Sequence, residues 1–237
     1  MNSTIARLTA TGLLRGWRGL LLALLPFVML ALALLVRMAF GIDPEITSGL
    51  LDTFNLDTVV PLIALIVGTG AIATEIDDGA IVYLLTKPVA RGRIIVTKLL
   101  VAITVTLLFA AVPTLIAAIV VTGAAGTVTW AYTVAATVSG IVYCAVFLLL
   151  GVLSRRAVII GLMYVMLWEM LVTGLVDGAR ALSIQHWGQS IAAELAPDAI
   201  TASLSLPVAT TLAVLVTGMA AWFATQRLRS LTLAGDS

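Results

Sequence analysis

The chemistry that this chain could carry is concentrated in residues 74–98, which read TEIDDGAIVYLLTKPVARGRIIVTK. The acids Glu75, Asp77 and Asp78 open the segment, and the bases Lys87, Arg91, Arg93 and Lys98 close it. Between them Gly79 permits a turn or a close approach. Ala80–Leu85 is apolar but too short to cross a bilayer, and Pro88 stops or redirects it. Apolar anchors set between fixed charges suit a surface that docks a protein. The competing reading is attachment to anionic lipid by the four bases. A second candidate is Glu169, in the apolar run Leu167-Trp168-Glu169-Met170. An ionised group in hydrocarbon costs at least ~2.5 kcal/mol and therefore faces protein or water. Glu169 reads either as an acid lining or gating a translocation route, with a cation as a possible ligand, or as a structural acid paired with a hydroxyl or with Arg180.

The remaining reactive residues form no catalytic set. His186 is the single histidine and Cys144 the single cysteine. Cys144 lies inside an apolar run and reads as a small buried hydrophobe. Met38, Met163, Met166, Met170 and Met219 are scattered through apolar stretches and read as packing residues rather than a copper path. The chain has no phosphate loop, zincin motif, nucleophile elbow or clustered metal ligands. It is not expected to be an enzyme or to bind a cofactor or metal. If ATP drives it, nucleotide and magnesium bind to another subunit.

The elements that position these residues are membrane spans. Hydrophobic residues make up 61% of the 237 and charged ones 11%, against about 25% charged in soluble proteins. Residues 1–18 read as a basic amphipathic helix at the membrane surface. Arg7, Arg15 and Arg18 fall within roughly 80° of one another, with Ile5, Leu13 and Trp17 broadly opposite. Spans are expected at 19–40, 58–73, 99–121, 131–153, 157–176 and 207–226. The first has no clean small-residue cleavage site and reads as a retained span. Residues 41–57 read as an acidic outer loop and Thr122–Trp130 as a turn. Residues 177–206 read as one or two short re-entrant or interfacial outer helices before the last span. Gly174 and Gly178 form a small-xxx-small pair of little specificity.

The distribution of charge orients these spans. Of the 13 basic residues, eleven fall in the lead segment, in 74–98, in the turn at Arg155 and Arg156, and in the tail at Arg227 and Arg229. Six spans put all four on one side. The other side receives Arg37 and Arg180 together with Asp43, Glu45, Asp52, Asp57, Asp177, Glu194 and Asp198. The positive-inside rule then places both termini in the cytoplasm of a multi-pass cell-membrane protein. Basic residues spread over loops in this way do not make a nucleic-acid surface.

The ordered set Glu75, Gly79, Leu84, Leu85, Pro88, Arg91 and Lys98 resembles the hallmark of the ABC-2 type permeases, the membrane subunits of one class of ATP-driven transporters. The lead helix, six spans, a cytoplasmic segment between spans 2 and 3 and short outer helices are similar too, so the resemblance in topology covers nearly the whole chain. Trp168 and Glu169 resemble a subset of the same family. The resemblance implies an all-α permease fold and pairing as a homodimer or heterodimer. It also implies a separate ATP-binding subunit docked from the cytoplasm on Glu75, Asp78, Gly79, Leu84, Leu85, Pro88, Arg91 and Lys98. ATP binding would rock the membrane subunits, with spans 1, 2 and 5 supplying much of the dimer contact and route, and most members export their substrate. The chain departs from some relatives in having no large outer domain. A hydrophobic or amphiphilic substrate suits the apolar spans. The alternatives are an ion-coupled transporter working through Glu169, which should show a mid-membrane site and often an internal repeat, or a non-transporting scaffold. An intramembrane enzyme finds no support in the residues.

Overall fold

The computed structural model describes residues 3–14, 16–77 and 91–230. Among the described residues there is helix and no strand. Six helices are long and apolar enough to cross a bilayer: Trp17–Phe40, Pro44–Ile72, Ile94–Thr122, Thr127–Leu153, Ala157–Leu175 and Leu206–Leu228. These are spans 1 to 6. An even number of crossings brings the lead helix, the link between spans 2 and 3, the turn Ser154–Arg156 and the last turn of span 6 to one end of the bundle, here the terminal end. The other links lie at the distal end. Chain chemistry sets the boundaries. Asp43 Oδ1 accepts from the N–H groups of Glu45 (2.9 Å) and Ile46 (3.2 Å), with Pro44 in the first turn of span 2, a cap that satisfies otherwise orphaned donors. Span 3 ends at Gly123, whose φ of 75° is the left-handed conformation that a glycine cap adopts without steric cost.

Two segments differ from the reading of the sequence. The lead helix, Ser3–Leu14, stops before Gly16, where φ is 74°. Arg18 therefore belongs to span 1, and one helix over 1–18 with a shared basic face does not form. Leu13 is buried, its Cδ2 packed beside Gly70 of span 2. Second, residues 44–57 are helical rather than a loop. Pro44–Gly49 leads into a π-helical stretch, Leu50–Val59, and on into Val60–Asp77. Their acids suggested a solvated loop, but Asp52 faces protein partners that accept it inside the bundle. The outer segment, read as one or two short re-entrant or interfacial helices, forms a 3-10 turn, Asp177–Leu182, and a helix, Ile184–Ala192. The helix dips into the bundle. Its Gly188 faces Ala135 and Ser139 of span 4, where an added Cβ would stand 2.8 Å from the Ala135 carbonyl oxygen and 2.2 Å from Ser139 Oγ. Ser139 lies about 18 Å along span 4 from Thr127 at 1.5 Å per residue. Such an excursion is tolerated in a membrane where protein surrounds it.

Span 4 is the hub, packed against spans 2, 3 and 6 and the short outer helix. In their most apolar stretches, 61% of span 4, 56% of span 2 and 44% of span 3 lie inside the protein. Spans 1, 5 and 6 reach only 22%, 22% and 17%, so they form the rim. Phe27, Leu34, Ile159, Leu171 and Val214 point outward from it. Lipid is as apolar as these side chains, so the interior is held by close packing and hydrogen bonds instead. At Gly68 a Cβ would meet Phe147 Cβ at 2.9 Å and the Cys144 carbonyl oxygen at 3.0 Å, a closeness only glycine allows. Cys144 is buried, its Sγ 2.8 Å from Thr106 Oγ1. Gly174 and Gly178 have open space beside them and make no close contact within this chain.

Candidate functional site

Two of the three π-helical stretches among the described residues, Leu50–Val59 in span 2 and Tyr164–Val172 in span 5, carry acids to the distal interior. A π-turn inserts an extra residue and re-aims the side chains after it, and such turns recur at functional sites. Asp52 accepts from the Tyr132 hydroxyl (2.9 Å) and from Gln189 Nε2 (3.0 Å). Glu169 is 3% exposed. Its Oε1 accepts from the Tyr164 hydroxyl (2.9 Å) and the Ile184 N–H (3.1 Å), and its Oε2 from Ser183 Oγ (2.5 Å). Asp57 feels the charges of both other acids and takes a hydrogen bond from the Gln185 side chain. Asp52, Asp57 and Glu169 line one cavity of about 380 Å³, with Gln185, His186 and Gln189 from the outer helix. Arg180 lines it too, its Nε donating to the Thr173 carbonyl at 3.4 Å.

The site thus assembles from span 2, span 5 and the outer helix, with span 4 behind them. His186 Nδ1 lies 2.8 Å from Ser183 Oγ. Burial first, and then the Arg180 charge, lower the pKa of His186 from its usual 6.5, so the ring meets the cavity neutral at pH 7. Trp168 does not line the cavity; its indole N–H reaches the Leu182 carbonyl at 3.3 Å and ties span 5 to the 3-10 turn. Of the two residues expected on a route, then, Glu169 is at the cavity and Trp168 supports it. Asp52 and Asp57 were missed by sequence reasoning. A second, mostly apolar cavity of about 500 Å³ is lined by Ile42, Pro44, Thr47, Val128, Tyr132 and Ala199 among others.

At the terminal end, Lys98 is 2% exposed and its Nζ donates to the Ala71 carbonyl at 2.7 Å. It points into the bundle and pins the start of span 3 to the last turns of span 2. Asp78, Gly79, Leu84, Leu85 and Pro88 lie outside the described residues. At Glu75 and Arg91 the backbone alone is described, closing the helix Val60–Asp77 and opening Arg91–Thr106. The link between spans 2 and 3 is therefore framed by two helices that lie side by side. The sequence model described as ABC-2 family transporter protein matches residues 4–196. The chain belongs to that family. No curated protein sequence matches it.

Membership accounts for the architecture of this ABC-2 family protein. The match runs from the lead helix through all but the last span, and takes in both the 74–98 link and the three acids of the cavity. It makes the chain a multi-pass membrane component of a transport system. The polar cavity is a property of this chain's own residues, and the family description says nothing of what enters it.

Proposed function

We propose that the chain is the permease subunit of an ATP-driven exporter, coupled to a separate ATP-binding subunit through residues 74–98. The observation that carries this reading is the position of the segment. It links spans 2 and 3 at the terminal end, flanked by helices that reach span 4, the hub of the bundle. A push on Glu75 or Arg91 from an ATPase would travel along Val60–Asp77 and Arg91–Thr106 toward the distal acids. Lys98 would serve this coupling from inside, by keeping the two helices in register, rather than by touching the partner. ATP and magnesium bind to the ATPase. The outward-facing apolar rim is available to lipid and to a second permease subunit, as a homodimer or heterodimer. The cargo in this reading is hydrophobic or amphiphilic, and both termini are cytoplasmic.

The test is reconstitution in lipid vesicles with the cognate ATP-binding subunit. Glu75→Ala and Arg91→Ala should leave insertion intact and lower permease-stimulated ATP hydrolysis by about tenfold, the loss of one charge-assisted contact at an interface. Stimulation equal to wild type in both variants removes the segment as the docking element. Glu169 in its cavity gives the ion-coupled alternative specific support. Substrate movement on an ion gradient by the chain without any ATPase would establish that alternative.

A further inference from the structure

We propose that the groove between spans 4 and 6 at the terminal end is a binding site for one anionic phospholipid, which lays an acyl chain along the groove and sets its phosphate among Arg155, Arg156 and Arg227. Spans 4 and 6 run in the same direction and pack on each other. Residues three or four apart on a helix share a face. Leu149 and Leu153 of span 4 and Phe223 of span 6 thereby wall one groove, and Gln226 and Arg227 line its terminal end. Its volume is about 380 Å³, room for about a dozen groups of water size and so for the upper part of one chain.

The walls are apolar and face outward. Leu153 is 50% exposed and Phe223 46%. Trp222, also exposed, packs edge-on against Phe223 with centroids 4.8 Å apart. Tryptophan is the residue type that settles at the level of the headgroups. Hydrocarbon therefore meets the leucines and Phe223, and the headgroup meets the arginines one turn further on. A soluble anion would have no use for three apolar walls.

Charge selects the headgroup. Span 4 ends at Leu153, and Arg155 and Arg156 follow after one residue, both exposed. Span 3 begins at the same corner: a Cβ added at Gly92, between Arg91 and Arg93 in the chain, would stand 3.6 Å from Thr225 Cγ2 of span 6. No acid occurs between Asp78 and Glu169 or between Asp198 and Asp236. The stretches that build this corner, 91–106, 127–156 and 206–230, thus contribute bases and no carboxylate. The acids Glu75, Asp77 and Asp78 belong to the end of span 2 and its link. A basic pocket between membrane helices recognises an anionic headgroup, and the guanidinium fork matches phosphate oxygens in pairs.

This inference goes beyond the coupling reading. It is tested on the chain without any ATPase, and it holds whichever way the terminal end faces, so either can fail alone. The full chain, purified in detergent and stripped of lipid, is titrated with phosphatidylglycerol, and the lipid retained per chain is read by native mass spectrometry. Phosphatidylcholine is the zwitterionic control, diacylglycerol the uncharged one and inorganic phosphate the soluble anion. One phosphatidylglycerol per chain should be retained, with phosphatidylcholine and diacylglycerol about tenfold weaker and no displacement by inorganic phosphate. Arg155→Gln and Arg156→Gln should each weaken retention by about fivefold, the usual contribution of one base near an anionic headgroup. Leu153→Trp, which fills the groove and keeps every charge, should weaken it severalfold. Arg7→Gln, which removes a base from the lead helix at the same end, should leave it unchanged. Helical content and a monodisperse elution profile check that each variant folds. If Leu153→Trp fails that check, the two arginine variants set against Arg7→Gln decide. Equal retention of phosphatidylcholine, displacement by inorganic phosphate, an equal loss in Arg7→Gln, or retention unchanged in the folded groove variants would each overturn the proposal. So would retention by monomers and not by dimers, which would give the groove to a second copy of the chain.

Discussion

Single polar residues hold the spans of this protein to one another, because lipid gives them no hydrophobic reason to associate. Asn55 of span 2 and Thr114 of span 3 make the clearest pair. Asn55 is 1% exposed and Thr114 0%. Asn55 Nδ2 donates to Thr114 Oγ1 at 2.9 Å, the two side-chain oxygens lie 3.2 Å apart, and Thr114 also reaches the Ala110 carbonyl at 2.7 Å. Thr114→Val should cost about 1–2 kcal/mol by stranding the amide, and Asn55→Leu a similar amount. The double variant should cost less than the sum of the two by about 1 kcal/mol, read from thermal unfolding in detergent. Strict additivity would show that the pair is not coupled. At this scale the sequence was partly legible. Glu169 announced itself because a charge in the middle of an apolar run has no cheap explanation. Asp52 and Asp57 did not, because acids beside a threonine and an asparagine read as surface. Only tertiary partners, Tyr132 some 80 positions away and Gln189 some 137 away, bring Asp52 inside, and no local pattern encodes those.

Elements carry the next level of specification. Five of the six spans lie within a few residues of their expected bounds, because an 18-residue apolar run has no other stable fate in this composition. What hydropathy could not show is the π-helical turns, since apolar content does not distinguish 3.6 from 4.4 residues per turn. Nor could it show that the outer helix enters the bundle. Gly188 is the residue that lets it do so. Gly188→Ala would force a Cβ against Ser139 Oγ and the Ala135 carbonyl oxygen. The hydroxyl can rotate away but the carbonyl is fixed in span 4. Overpacking of this kind costs about 1–3 kcal/mol. The outer helix should lift from span 4, and Trp187, now 4% exposed, should become quenchable by a water-soluble quencher. Adding Ser139→Ala should recover only part of the loss. Unchanged quenching, or full rescue by the second substitution, would mean that the backbone of span 4 does not limit this contact.

For the whole molecule the claim that orders all others is the direction of threading. The arginine-bearing links gather at the terminal end and most of the acids at the distal end. Translocating the basic links against the membrane potential is what the cell avoids, and the coupling proposal therefore expects the 74–98 segment on the side where ATP is. The native chain is suited to a labelling test because its single cysteine, Cys144, is 0% exposed and should not react with a membrane-impermeant maleimide. In a Cys144→Ala background, Ser154→Cys adds a thiol at the terminal end without removing an arginine, and Ala125→Cys adds one at the exposed distal link. In intact cells only Ala125→Cys should label. Ser154→Cys should label after permeabilisation, by a factor of about ten over intact cells if insertion is uniform. Reversal of the two would put residues 74–98 on the side without nucleotide and end the coupling proposal, and the acid-lined cavity would then open to the cytoplasm. Labelling of both from the same side would remove the six-span threading itself, and with it the path from the docking segment through span 2 to Asp52, Asp57 and Glu169.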